Sequence, residues 1–512
     1  MISGESKSLN AAAEAYRRRR GRHPPPGFDL WYKYASDHDA LIVEDFFDQI
    51  YHDLEPFWGA DPAVLRKHAT SLLNADGSDG ISIRNHAISW KSDHFWFVRW
   101  ANMVNTIVHL LPDMDIPLNA EDVPRVMVSW ENVTALLEKA APIAGFTPAS
   151  QIISEFQSLP PPELYSDSDI PWQLGYRPKI DSSYAIPHLY QGYVSNYTLS
   201  TDLCHQPDLQ GLEGIFIQPY LVRSTDVLVP VFGGSKLSVN NDILIPSPLY
   251  YEGTDDFLGG AGAESSWETK SDKVMWRGTA SGGKNTVENW RGFQRHRFLA
   301  MNNATALTRL ETSEDRPENF ALPEKQYNIE AQADRRLGKW VGEWSDMSTM
   351  DLVCSSPQQD KRCEYTDAYF QLDTERLSMS EQLSRAKYVP DIDGTSYSGR
   401  YLAFLRSTSL PIKAALWREW HDSRLVAWKH FIPMDHRFVD YFGIIEYFLG
   451  YEGRGGHDQA AKSIAYNGKE WAEKVLRKED MQIYTLRLLL EYARLMDDRR
   501  ERMGWINDLK RN

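Results

Sequence analysis

The amino-acid sequence predicts an α/β protein made of two successive α/β regions, on two patterns. Between Ala40 and about Asn240, helical stretches such as VEDFFDQIYHDLEPFW alternate with short apolar strands such as MDIPLNA and EGIFIQPYL, the rhythm of helices layered on a sheet. Further on, strands lead repeatedly into glycine- or serine-rich turns and then into helices. With 512 residues, 42% hydrophobic and 12% aromatic, the chain can bury large cores and divide into two or more domains around a cleft.

Taken in order, residues 1–25 are polar and poorly patterned and are expected to form a tail or stem remnant without chemistry. The run Arg17 to Arg20 with Arg22 reads as a solvated stretch ahead of Pro24-Pro25-Pro26, with a localisation signal as the alternative. Ordered structure is expected to begin near PPGFDLWYKYA and the first lobe to span 26–250. Residues 251–270, with Gly259, Gly260 and Gly262, read as a flexible connection at the start of a second lobe over 251–475. There KVMW reads as a strand ending at Arg277, followed by a glycine-rich loop and a helix beginning near Val287. YVPDIDG reads as strand and turn, SGRYLAFLR as helix and SLPIKAAL as the next strand. Within 476–512, Ile483, Leu486, Leu490 and Ala493 recur at helical spacing, and Gly504 marks the expected stop.

Composition bounds the partners. A formal net charge of -15 argues against nucleic acid, which rewards a basic surface. The 17 tryptophans and 25 tyrosines exceed what a core usually needs; aromatic faces serve as sugar platforms, although packing accounts for most of them. No run of 18 apolar residues and no apolar signal core in the first 30 residues are present, so this chain as written is expected neither to span nor to enter a membrane. Three N-glycosylation sequons stand at Asn132, Asn196 and Asn303. Cys354 and Cys363 are close enough to close a small disulfide loop in an oxidising lumen, leaving Cys204 unpaired; three free thiols in a reducing compartment is the other reading. No zinc spacing occurs among them.

Two segments carry the chemistry: KVMWRGTASGG at 273–283 and KYVPDIDGTSYSGRYLAFLRSTSLPIK at 387–413. In the first, Arg277 precedes Gly278 and Thr279; in the second, Asp393 and Gly394 lead through Ser398 to Arg400. Arginine beside glycines and small hydroxyls lets backbone amides and a guanidinium fork approach phosphate oxygens together. An ordinary ion-pair role for both arginines is the plainer alternative. Arg291 and Arg295, four apart, read as extra phosphate ligands or as a solvated helix face. Asp113-Met114-Asp115 and Asp391-Ile392-Asp393 both have the D-x-D form by which metal-dependent transferases hold a cation on a diphosphate. A turn-capping role beside Gly394 is the alternative for Asp391 and Asp393. His430 reads as a packing residue, and Glu419 as a structural carboxylate or a ribose ligand.

Lys387-Tyr388 through Asp393-Gly394, Ser398-Gly399-Arg400, then Leu405, Ser407, Ser409, Lys413 and Trp428 to Pro433, resemble the core pattern of glycosyltransferase family 90, which contains fungal capsule-associated xylosyltransferases and animal protein O-glucosyltransferases. GFDLWYKYA, DLEPFWG, EWHDSRL at 419–425 and KEDMQIYTLRLLLEYARL resemble its fungal branch. The resemblance implies a two-lobed GT-B architecture of Rossmann-like lobes, the C-terminal helix packing back across them. It implies inverting transfer from a UDP-sugar, UDP-xylose or UDP-glucose, to a hydroxyl of a glycan or glycoprotein, without metal or other cofactor. LPDMDIPLNAEDVP at 111–124 is similar to the family segment that carries the catalytic aspartate, which places the general base on Asp122. Diphosphate binding carries over to Arg277 and Arg400. Glu121, an arginine in the animal form, and the extra glycines after Arg277 depart from the pattern and leave donor and acceptor choice open. Members of the family work in the Golgi or endoplasmic reticulum lumen, the fungal ones behind an N-terminal anchor that this chain does not show. A metal-dependent transferase using a D-x-D motif, or a glycan- or UDP-sugar-binding protein without turnover, remains the alternative.

Overall fold

The computed structural model describes residues 4–73, 79–141, 145–157, 159, 170–174, 187–219, 223–313, 316–354, 363, 365 and 376–510. The first sheet contains β1 (Asp79–Arg84), β2 (Ala87–Ser89), β3 (Met114–Leu118), β4 (Phe232–Gly233) and β5 (Ile243–Leu244), in the order β2-β1-β3-β4-β5. It is mixed rather than the purely parallel layer of a Rossmann lobe: β1 runs antiparallel to β2 and β3, while β3, β4 and β5 are parallel. The cause is local. Asn85 and His86, at φ 50° and 61°, form a two-residue turn of the left-handed kind that matches strand twist, so β1 folds straight back into β2.

The second sheet contains β6 (Ser271–Ala280), β7 (Ser345–Leu352), β8 (Ala386–Ile392), β9 (Leu410–Ala414) and β10 (Ile432–Pro433). All its pairings are parallel, in the order β7-β6-β8-β9-β10. From β6 the chain goes outward to β7, and from β8 it goes the opposite way to β9. The carboxyl ends of β6 and β8 therefore flank a topological switch point, where open α/β sheets leave a crevice for ligands.

The main core surrounds the first sheet and includes the helix Lys478–Leu495, buried on nearly every side. Its charged residues must then be neutralised inside the protein. Glu491 accepts from the hydroxyls of Tyr16 at 2.9 Å and Tyr51 at 2.8 Å and pairs with Arg494. Arg487 meets Glu44 at 3.3 Å, and Arg494 donates to the His23 carbonyl at 2.7 Å.

Several expected elements differ. Residues 9–20, expected to be unpatterned tail, form the helix Leu9–Arg20, capped by Ser8 and Gly21, with Tyr16 fully buried. Its basic run is only partly solvated: Arg17 holds Asp508 and Arg20 holds Glu44. Within EGIFIQPYL, Gly214–Ile217 is one helical turn, not a strand. Gly214 lies so close to the Gly282 carbonyl that a Cβ would stand 1.7 Å from its oxygen, and that packing outweighs the apolar run. The connection over 251–270 is built of short helical turns around buried Trp267, whose indole donates to Asp458. The strand through Arg277 continues to Ala280, and the next α-helix is Gln294–Met301, because Gly292 packs against the Gly211 carbonyl in the turn before it. The C-terminal helix stops at Leu495, well before Gly504.

Candidate functional site

Two arginines meet at the switch point. Arg295, from the helix Gln294–Met301, donates to the Thr279 carbonyl near the end of β6 (2.7 Å), to the Ile392 carbonyl at the end of β8 (3.0 Å) and to Ser281 Oγ (3.0 Å). Arg400, the N-cap residue of the helix Tyr401–Leu405, donates through Nη1 to the Arg277 carbonyl at 2.9 Å. Its guanidinium lies 5.1 Å from the Trp276 ring and 5.6 Å from the Phe404 ring, and its Nη2 is buried without a hydrogen-bond partner. Two glycines make room: a Cβ at Gly278 would stand 3.2 Å from Arg400 Nη1, and one at Gly394 would stand 2.9 Å from Arg295 Nη2.

The hydrogen-bond partners of both guanidinium groups are carbonyl and hydroxyl oxygens, not carboxylates. Burial, and then the like charge of Arg400, pull Arg295 down to about 9, and burial lowers Arg400 as well. Asp391 acts on both guanidinium groups and Asp393 on Arg295, but neither carboxylate is hydrogen-bonded to them, and Arg400 Nη2 is left to meet an anion. Ser398 Oγ and Asp393 Oδ1, from the same loop, are likewise buried and unpartnered.

Behind this pair lies an acidic cluster around Lys413 of β9. Its ammonium is 3.4 Å from Asp391 Oδ2, 3.7 Å from Glu419 Oε2 and 3.4 Å from the centre of the Tyr401 ring. Burial pushes Glu419 up to about 8, against the pull of Lys413, and holds Asp393 well above the usual carboxylate range. Burial also keeps His421 well below the usual histidine value, so it is neutral.

Asp122 follows β3 on a turn in which Asn119 donates to the Val123 carbonyl at 2.9 Å and accepts from the Glu121 amide at 3.1 Å. The residue is exposed, yet the protein packed around its carboxyl, and then Glu121, raise it from the ordinary aspartate value. Ser247, which follows β5, is hydrogen-bonded to the Tyr397 hydroxyl, and Tyr250 donates to the Ser398 carbonyl at 3.3 Å, so the segment after the first sheet meets the loop that ends at Arg400.

Other candidates sit elsewhere. Arg277 directs its guanidinium to Asp346 of β7, and what it offers the switch point is its carbonyl. Arg291 is separated from Arg295 by the turn at Gly292, and pairs with Glu318. Asp113 accepts from the Asn85 amide, and Asp115 is held by Thr70, Ser82 and Arg84, so this D-x-D pair serves the first sheet's structure. Among the described residues no three His, Cys, Asp or Glu side chains gather as metal ligands, and no helix is long and apolar enough to cross a membrane. Asn132, Asn196 and Asn303 are all exposed; the last two cap helices through Oδ1. Cys354 and Cys363 are joined, and Cys204 is free and exposed. His430 stacks on Trp471 at 5.5 Å.

Sequence reasoning assigned no role to Tyr397, His421 or Lys413. The signal for Lys413 was a charge inside the apolar strand SLPIKAAL, a position that requires buried partners.

Residues 335–508 match the family model described as Glycosyl transferase family 90. The match includes Asp391, Asp393, Ser398, Arg400, Lys413 and Glu419, whereas Asp122, Arg277 and Arg295 lie before it. It supports a glycosyltransferase, an enzyme using a sugar donor and an acceptor.

Proposed function

We propose that the chain is an inverting, metal-independent transferase of GT-B architecture that moves xylose or glucose from a UDP-sugar to a hydroxyl of a glycan or glycoprotein. The observation that carries this reading is the Arg295–Arg400 pair at the switch point, with Arg400 Nη2 unpartnered among buried groups. In the reaction Asp122 takes the acceptor's hydroxyl proton, the acceptor oxygen bonds to the anomeric carbon, and the bond from that carbon to the diphosphate oxygen breaks on the opposite face. Arg400, with Ser398 and the flanking backbone, receives the charge that develops on UDP, while Arg295 holds the ends of β6 and β8 in place and adds positive field. Arg277 acts through its carbonyl as the seat of Arg400. Glu419, protonated at neutral pH, suits a ribose hydroxyl.

Lys413 argues against a cation at Asp391 and Asp393, because its ammonium already supplies positive charge between Asp391 and Glu419. The Cys354–Cys363 bridge and the exposed sequons support a setting in the lumen of the secretory pathway. The test is UDP release from a panel of UDP-sugars, with and without chelator, by the native chain and Asp122→Asn. Chelator-resistant release that collapses in the variant is expected. Release abolished by chelator would point to the D-x-D alternative, and saturable UDP binding without release from any donor to a binding protein.

A further inference from the structure

The basic run near the start of the chain leaves one arginine over. Arg17, Arg18, Arg19 and Arg20 each hold a carboxylate, whereas Arg22 has no ion pair and no hydrogen-bond acceptor among the described residues. Its guanidinium lies across the Trp58 ring, 4.1 Å from the centre, on the lining of a narrow cavity with room for about one water-sized body. Two more guanidinium groups line that cavity around the same ring, Arg500 at 5.3 Å and Arg494 at 5.6 Å. Counter-charge is short. Arg494 is paired with Glu491, yet its Nε is buried without a hydrogen-bond partner. Glu491 also attracts Arg22 through space, but it is taken by Arg494, Tyr16 and Tyr51. Arg500 donates to backbone carbonyls, Trp58 at 2.7 Å and Ala60 at 2.8 Å foremost, and Glu501, Asp61 and Asp498 act on it only through space. Glu501, the one carboxylate on the lining, is exposed and forms no ion pair among the described residues.

We propose that this cavity is an anion site, sharing no residue with the switch point, that takes a small monovalent anion of halide size. Three positive groups converge there on a single buried carboxylate, and the free fork of Arg22 supplies donors that nothing else in the fold uses. Size and wall chemistry choose the ion. The space is too small for a whole phosphate or sulfate, and the apolar side chains of Trp58, Ile152 and Met503 favour an ion that gives up its water easily. The site lies where the two ends of the chain meet: Trp505 donates to the Pro24 carbonyl at 2.7 Å, and Gly504 to the Ile153 carbonyl at 3.0 Å. Only the folded chain brings Arg22, Arg494 and Arg500 together, so the anion stabilises that fold and pins both ends to the first lobe.

Thermal unfolding of the full chain, with sodium gluconate replaced stepwise by sodium chloride or sodium bromide at constant ionic strength, separates binding from screening, because gluconate is too large for the cavity. The melting temperature of the native chain is expected to rise by about 1 °C for each tenfold increase in halide once the site fills. Arg22→Met keeps a side chain over Trp58, breaks no hydrogen bond, and is expected to abolish the rise. Native crystals soaked in bromide give a readout that does not depend on any variant's stability: the anomalous signal of the ion is expected between Arg22, Arg494 and Arg500. Equal melting temperatures in halide and gluconate overturn the site. So does a halide effect that survives Arg22→Met, which places the ion elsewhere, and so does a bromide-soaked crystal with no ion in the cavity.

Discussion

Arg400→Met separates a functional charge from a structural one, because the two roles predict opposite signs. In the folded chain the guanidinium makes one hydrogen bond, to the Arg277 carbonyl, and lies near the Trp276 and Phe404 rings. Losing the hydrogen bond costs about 1 kcal/mol, and losing the ring contacts up to about 2 kcal/mol. Against that, burying an ion that Asp391 attracts only through space carries a penalty of roughly several kcal/mol, relieved when methionine takes its place. The repulsion that lowers Arg295 is relieved as well. Net stability should therefore stay the same or rise, although a buried charge has been deleted. Activity should move the other way: removing one preorganised donor to a developing oxyanion costs about 2.7–4 kcal/mol, roughly 10²- to 10³-fold in kcat. Thermal unfolding with and without UDP, alongside UDP release, reads both. Arg400→Met should match or exceed the native melting temperature without ligand, gain far less from UDP and turn over slowly. A loss of several degrees without ligand would show that Arg400 is a structural counter-charge, and retained turnover would remove it from the site.

Three further outcomes follow from the same geometry. Asp122→Asn should lower kcat about 10²- to 10⁴-fold with UDP affinity unchanged, and the acid limb of the native kcat/KM profile should lie above the reference aspartate value of about 3.9, because Asp122 is raised; a limb at or below it would remove Asp122 as the base. Glu419 rises from 4.5 to about 8 on folding, so the stability it contributes is complete below its unfolded value and is lost as pH rises through about 8. Glu419→Gln removes that titration and should flatten the decline in melting temperature across this window, whereas curves parallel to the native ones would contradict a buried neutral carboxyl. Glu491→Gln strips the partner from Arg494 and Arg487 and should cost about 3–5 kcal/mol in denaturant unfolding; a loss under about 1 kcal/mol would mean that the network is not coupled.

How much was legible depended on where each partner lay in the chain. β8, its turn, the short helix and β9 were read correctly because their signals are local and contiguous over 387–413. The pairing of Arg295 with Arg400 was not readable, since it exists only because β6 and β8 are neighbours, and strand order is not written in any local pattern. Arg277 illustrates the same limit: parallel pairing with β7 brings Asp346 to its guanidinium, a partner that no local pattern announces. The helix Leu9–Arg20 looked like tail because its stripe is narrow, Ala12, Ala13 and Tyr16, and its charges find their partners only across the fold. Of the candidate site, the loop over 393–400, Lys413 and Asp122 were named from motifs, while the ionic role of Lys413 and the burial of His421 and Tyr397 emerged from the fold.

The helix Leu9–Arg20 also sets a timetable for synthesis. Tyr16 waits for Glu491, 475 positions later, and at about 5–20 residues per second that interval is roughly half a minute to a minute and a half on the ribosome. β6 to β10 can meanwhile be assembled, because the last of those strands ends at Pro433. The half of the protein made first is thus completed last, and until then its apolar face and the Tyr16 and Tyr51 hydroxyls need water or a chaperone as their temporary company.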